Sequence, residues 1–198
     1  MPDATASKRR EPDRLVLAST SPQRRAILEQ LRIPFEVVAP SYLETEAPGV
    51  DPRELVERHA EGKARSVALD ERLVLGVDTA VVLDGRVFGK PDGRDEAAAM
   101  LRALASHTHT VVSGMCLLGP DLTVSASEAT GVTFRRITSA AIERYLESGE
   151  WEGRAGAYAI QGLGGRLVER IDGDYLNVVG LPGALLVSLL EAHAPHLL

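Results

Sequence analysis

Three things are scarce in this 198-residue chain: cysteine, long apolar runs and positive charge in excess. Cys116 is the only cysteine, which rules out an intramolecular disulfide or a cysteine-rich metal centre and suits a reducing cytoplasm. It stands in the run MCLL, where a small buried hydrophobe is a better reading than a reactive thiol. The longest apolar stretches, such as Leu73–Val77 and Leu185–Leu190, fall far short of the roughly 20 residues a membrane-spanning helix needs, so no membrane partner is expected. A net charge of −6, with no stripe of interleaved basic and aromatic residues, argues against nucleic acid as a partner. An anionic ligand stays compatible with that charge if side-chain cations, helix N-termini or a divalent ion are gathered locally.

The 44% hydrophobic and 25% charged residues strike an ordinary globular balance and exclude a disordered body. The length fits a single domain with room for an interior cleft. Residues 1–13 carry Lys8, Arg9 and Arg10 with no apolar segment behind them, so they are expected to form a mobile tail rather than a secretory leader. Residues 14–198 are expected to form one domain.

Along the chain, Leu15–Ala18 reads as a short buried strand stopped by Ser19-Thr20-Ser21-Pro22. Ile27, Leu28 and Leu31 then fall at helical spacing, with Ser21 suited to the N-cap and Pro22 to the first helical position. Phe35–Ala39 predicts a second strand. Leu55, Val56, Ala60, Ala64, Val67 and Ala68 predict a helix over Pro52–Leu69. The β-branched stretches on either side of Asp78, followed by Asp84-Gly85 and Arg86–Phe88, predict a β-hairpin. Ala97, Met100, Leu101 and Leu104 mark another helix, Thr110–Leu118 a core strand and Thr130–Arg135 a further strand. Short helices are expected from Thr138 or Ser139 and around Leu185–Leu190. Gly149 to Gly183 holds nine of the 18 glycines and reads as a shaped loop region. The interleaving predicts a mixed α/β fold with a substantial sheet, split into two lobes around a cleft.

Several residues carry chemistry. Ser19 and Ser21 sit where a strand runs into a helix and Arg24 and Arg25 lie on its first turn, which fits a phosphate cradle or simply a capped helix with a solvated arginine pair. Asp78, a carboxylate inside a run of Val and Leu, needs a metal, a basic partner or a turn to cap. Glu44 and Glu46 are loop acids that become metal ligands only by converging with Asp78. Lys63 and Lys90 pass equally well as solvated lysines. His107 and His109 alternate at a strand start, but no third ligand stands nearby and they are left out of the site.

Taken together, LASTSPQRRAILEQL, GVDTAVVLDGRVFGKP and GAYAIQGLGGRLVERIDGDYLNVVGLP resemble the Maf family of nucleotide pyrophosphatases, in order and spacing, from about Leu15 to Leu190. The resemblance implies an elongated mixed-sheet fold of the Maf and ITPase kind, a homodimer and a divalent cation, Mg²⁺ or Mn²⁺. It implies hydrolysis of a nucleoside triphosphate to the monophosphate and pyrophosphate. It assigns Ser19, Ser21, Gln23, Arg24, Lys63, Thr79, Lys90 and Gln161 to substrate, Glu44 and Asp78 to the metal, and Asp78 to catalysis. The family's older association with septum formation adds a regulator of cell division as an alternative class. Gln23 stands where the pyrimidine branch has arginine, whereas Gln161 stands where the 7-methyl-GTP branch has glutamate. An amide offers donor and acceptor to a neutral uracil or thymine edge, so dTTP and UTP are the expected substrates and 7-methyl-GTP the alternative.

Overall fold

The computed structural model describes residues 14–45, 49–67 and 72–198. The tail over residues 1–13, Glu46, and the end of the expected second helix at Ala68 and Leu69 lie outside the described residues.

Strand β1 (Leu15–Ala18) is wholly buried and feeds helix α1 (Pro22–Gln30), which has Ser21 at its N-cap and proline in its first turn. The Ser21 hydroxyl does not cap the helix; it donates to Gln23 Oε1 at 3.2 Å. Strand β2 (Phe35–Val38) is followed by helix α2 (Pro52–Ser66), where the Asp51 carboxylate accepts from the Arg53 N–H at 2.8 Å and so satisfies an orphan donor. Strands β3 (Val74–Leu83) and β4 (Arg86–Phe88) form the expected hairpin, with Asp84 at φ 51° and Gly85 at φ 77°, as a type I′ turn requires. Then come helix α3 (Arg94–Leu104), strands β5 (Thr108–Gly119) and β6 (Leu122–Phe134), helix α4 (Ser139–Leu146), strand β7 (Val168–Asp172), and helices α5 (Tyr175–Val179) and α6 (Gly183–His193).

Two expectations need correction. Strand β6 starts at Leu122 rather than Thr130, and it pairs with β5 from Gly119↔Leu122 to Thr108↔Thr133. Its first half carries Ser125, Ser127 and Glu128 between small alanines, so the alternation is faint although the cross-strand partner is long. The glycine-rich stretch is also more than loop, because β7 and α5 lie within it.

The seven strands form one mixed sheet in the order β2-β1-β3-β5-β6-β7, with β4 also on β3. Strand β1 is parallel to β2 and β3, and the remaining pairs are antiparallel. Strand β1 accompanies β3 only as far as Ala18↔Gly76, and β4 begins only at Val81↔Phe88. Between them, Val77–Ala80 keep β5 on one side and have no strand on the other among the described residues. The cleft opens at this gap. One apolar core, including Leu17, Leu28, Leu75, Val77, Met115 and Leu186, lies on one side of it. A second, including Val81, Phe88, Leu101, Val111, Phe134 and Ile142, lies on the other.

Helix α2 covers the opposite face at very close range. A Cβ added at Gly76 would collide with the Ala60 carbonyl, and one at Gly114 with the Val56 backbone. These glycines let helix and sheet meet backbone to backbone, which brings α2 side chains within short reach of β3. No helix of the described residues is long and apolar enough to cross a membrane.

Candidate active site

The cleft encloses about 490 Å³, and its walls include Ser19, Ser21, Gln23, Arg24, Glu44, Lys63, Asp78, Thr79 and Lys90. Gln161 lies outside it, on an adjoining pocket of about 290 Å³. The two spaces share a wall of Gln23, Arg154, Tyr158, Val178 and Val179.

Strand alternation turns Asp78 and Thr79 to opposite faces of β3, so one gap in the sheet serves two sets of partners. On the α2 side, the Lys63 ammonium lies 2.5 Å from Asp78 Oδ1 and 2.6 Å from Glu44 Oε1. The Lys63 side chain is only 9% exposed, which overturns the reading of it as a solvated lysine. Burial alone would push the Glu44 carboxyl up. The hydrogen bond and charge of Lys63, with Lys90 and His59 further off, outweigh burial and hold it below the usual carboxylate range.

On the other side, Arg24 is fixed at three points. Its Nε donates to the Gly180 carbonyl at 2.9 Å, and its terminal nitrogens donate to Ser19 Oγ and Thr79 Oγ1, each at 3.1 Å. Thr79 Oγ1 is in turn 2.9 Å from Ser113 Oγ, its cross-strand neighbour on β5. Gly180 sits at φ 129° at the end of α5, a conformation only glycine holds without strain. Burial pushes the Arg24 pKa down, while Asp78 and Glu44 act in the opposite sense. The guanidinium stays charged, as arginine does in proteins.

Lys90 follows β4 and is exposed at the cleft mouth. Arg154, which the sequence reading missed, lines both spaces, and its buried Nε has no hydrogen-bond partner. The cleft thus faces four cationic side chains, Arg24, Lys63, Lys90 and Arg154, and three acids, Glu44, Asp78 and Glu152. Cation forks and hydroxyls around one concave space suit a polyanion.

His59 was also missed. It lies one turn before Lys63 on α2, with Tyr42 edge-on at 5.8 Å. One ligand atom each from Glu44, His59 and Asp78 lie within 4.8 Å of one another, a group of donors that could hold a metal ion. His107 and His109 line neither space. His107 Nδ1 meets the Ala105 carbonyl at 2.8 Å, and His109 Nε2 meets the Tyr158 hydroxyl at 2.9 Å inside the second core. Cys116 is fully buried, and burial pushes its thiol pKa up despite a hydrogen bond from Ser125, so it behaves as a core hydrophobe.

The sequence profile described as Maf-like protein matches residues 14–193 of this chain. The dTTP/UTP pyrophosphatase of Pelotomaculum thermopropionicum is 44% identical over 181 residues, spanning 89% of this chain and 95% of that one. The proteins of the same name from Nitratidesulfovibrio vulgaris and Gloeobacter violaceus are each 46% identical, spanning 89% of this chain and 86% and 94% of theirs. Among solved structures, a HAM1 protein from Coxiella burnetii aligns at 17% identity with a TM-score of 0.44, over 63% of this chain and 74% of that one, a likeness too distant to add to the fold described above.

Proposed function

This chain belongs to the Maf family, and on that premise we propose that it is a nucleoside triphosphate pyrophosphatase that cuts dTTP and UTP between the α and β phosphates. The observation that carries the proposal is the gap in the β3 edge. There a carboxylate cluster and four cationic side chains face one cleft with a smaller pocket beside it.

The triphosphate lies against Arg24, Lys90, Arg154 and the Ser19 and Ser21 hydroxyls, which neutralise and orient it. Arg24 is held in place beforehand by Gly180, Ser19 and Thr79, so little ordering is left for the moment of binding. The base enters the adjoining pocket, between the apolar wall of Val178 and Val179 and the amides of Gln161 and Gln23. Glu44 and Asp78 would hold a divalent cation, Mg²⁺ or Mn²⁺, which when bound supplies charge neutralisation at the phosphate oxygens and acidifies water. In the free chain Asp78 Oδ1 is engaged by Lys63; that oxygen would hold the cation in place of the ammonium, and Oδ2 takes the proton of the water that attacks the α phosphorus. The new P–O bond forms as the bond from the α phosphorus to the bridging oxygen breaks, and pyrophosphate leaves. Cytoplasmic residence and a homodimeric assembly belong to the same proposal.

The test is product analysis with dTTP and UTP, with and without Mg²⁺ or Mn²⁺. Nucleoside monophosphate and pyrophosphate are expected, and only with the cation. Orthophosphate as the first product would refute the proposal.

A further inference from the structure

His59 is 5% exposed, and neither of its ring nitrogens has a hydrogen-bond partner among the described residues. A neutral imidazole carries one donor and one acceptor, and a buried polar atom left unmet carries its full desolvation cost. A histidine serving only as core filling normally meets a carbonyl or hydroxyl, as His109 does with Tyr158. His59 instead stands on the face of α2 that also carries Lys63, with a ring nitrogen in the same 4.8 Å group as oxygens of Glu44 and Asp78. Its ring is held edge-on by Tyr42, which packs so closely on Gly62 that any side chain there would collide with it.

We propose that His59 is a third, nitrogen ligand of the cation site in this chain, and that the site therefore favours borderline transition ions of the Mn²⁺ and Co²⁺ kind over Mg²⁺. The inference rests on the cation site of the pyrophosphatase reading and adds a ligand to it. Two donors on one such ion sit at most about 4.4 Å apart, so a group whose members all lie within 4.8 Å of one another needs at most a few tenths of an ångström of closure. Glu44, on an exposed loop, can supply that movement. The Lys63 ammonium holds both carboxylates in the free chain, and ion binding displaces it toward the cleft. Oxygen-only sets suit Mg²⁺, whereas an imidazole nitrogen raises affinity along the first-row transition series.

The experiment loads the full chain with one equivalent of Mn²⁺, without nucleotide, and records electron spin echo modulation from ¹⁴N. Calorimetry of Mn²⁺, Co²⁺ and Mg²⁺ binding accompanies it. An imidazole ¹⁴N coupling is expected in the parent protein and absent in His59→Leu. Mn²⁺ and Co²⁺ affinity should fall on the order of tenfold or more in that variant, with Mg²⁺ affinity little changed. If His59→Leu does not fold, His59→Gln keeps polarity and bulk, and the imidazole coupling must still vanish. Mn²⁺ that is bound, is lost in Asp78→Asn and shows no imidazole coupling would overturn the role of His59 while leaving the pyrophosphatase reading intact. Failure of the product test, with the coupling present, would do the reverse.

Discussion

Asp78→Asn keeps the shape of the side chain and removes its charge, and two effects of that change can be separated. The first is on stability. The Lys63 ammonium, 9% exposed, retains only Glu44, which is 44% exposed and 2.6 Å away. Removing one partner of a buried ion pair costs about 3–5 kcal/mol when the other charge is left alone. Glu44 still neutralises part of that charge, and the new amide oxygen still accepts from the ammonium, so about 1–3 kcal/mol is expected. For a chain of this length that is a fall in Tm of roughly 2–4 °C per kcal/mol. The second effect is on catalysis, because the change removes a proposed cation ligand and the proton acceptor together. Each such role is worth about a hundredfold or more, so kcat/KM for UTP should drop at least about 100-fold, or about 2.7 kcal/mol of transition-state stabilisation.

The assay is pyrophosphate release from UTP at saturating Mg²⁺ and Mn²⁺, paired with urea denaturation of the same samples. A loss of less than about tenfold in kcat/KM would refute the proposed role of Asp78. The double variant Asp78→Asn, Lys63→Met makes the test sharper. It removes the stranded ammonium, so stability should recover while activity does not. Recovery of both would mean that Asp78 serves only as the counter-ion of Lys63.

Other outcomes are expected elsewhere. Gln161→Glu, on the adjoining pocket, loses an amide donor and gains a charge, so the preference for dTTP and UTP over 7-methyl-GTP should fall on the order of ten- to a hundredfold; an equal drop on all three would assign Gln161 to the loop instead. Burial pushes the His109 imidazole down from 6.5 to about 4, so between those values the unfolded chain binds a proton that the native chain does not. Stability present above pH 6.5 is therefore lost as pH falls toward 4, by up to about 3 kcal/mol, and urea midpoints for His109→Phe should show a flatter profile across that window. Gly76→Ala drives a methyl group into the Ala60 carbonyl and should cost about 1–3 kcal/mol in denaturant unfolding, whereas Gly119→Ala, which meets only ordinary contacts, should be nearly silent.

The segment from Leu15 to Arg24 was legible because every signal in it is local: a short apolar run, a polar stop, a proline in the first turn, and hydroxyl and guanidinium groups at a helix start. Asp78 was legible for the same reason, since a lone carboxylate in an apolar strand needs a partner wherever the strand is placed. Lys63 and His59 were not. Between Glu61 and Arg65 a lysine reads as solvated, and nothing in the helix says otherwise. Its burial is decided on other strands. Gly76 on β3 and Gly114 on β5 admit α2 to backbone contact, and that closeness, set by residues distant in sequence, carries His59 and Lys63 onto Asp78. Arg154 escaped for a related reason, because its exposed-looking glycine-rich neighbourhood folds back over the gap in β3. Local pattern thus finds residues that are anomalous where they stand. Residues made functional by a close approach are found by asking which glycines leave room for a neighbouring backbone and what that neighbour carries one turn away.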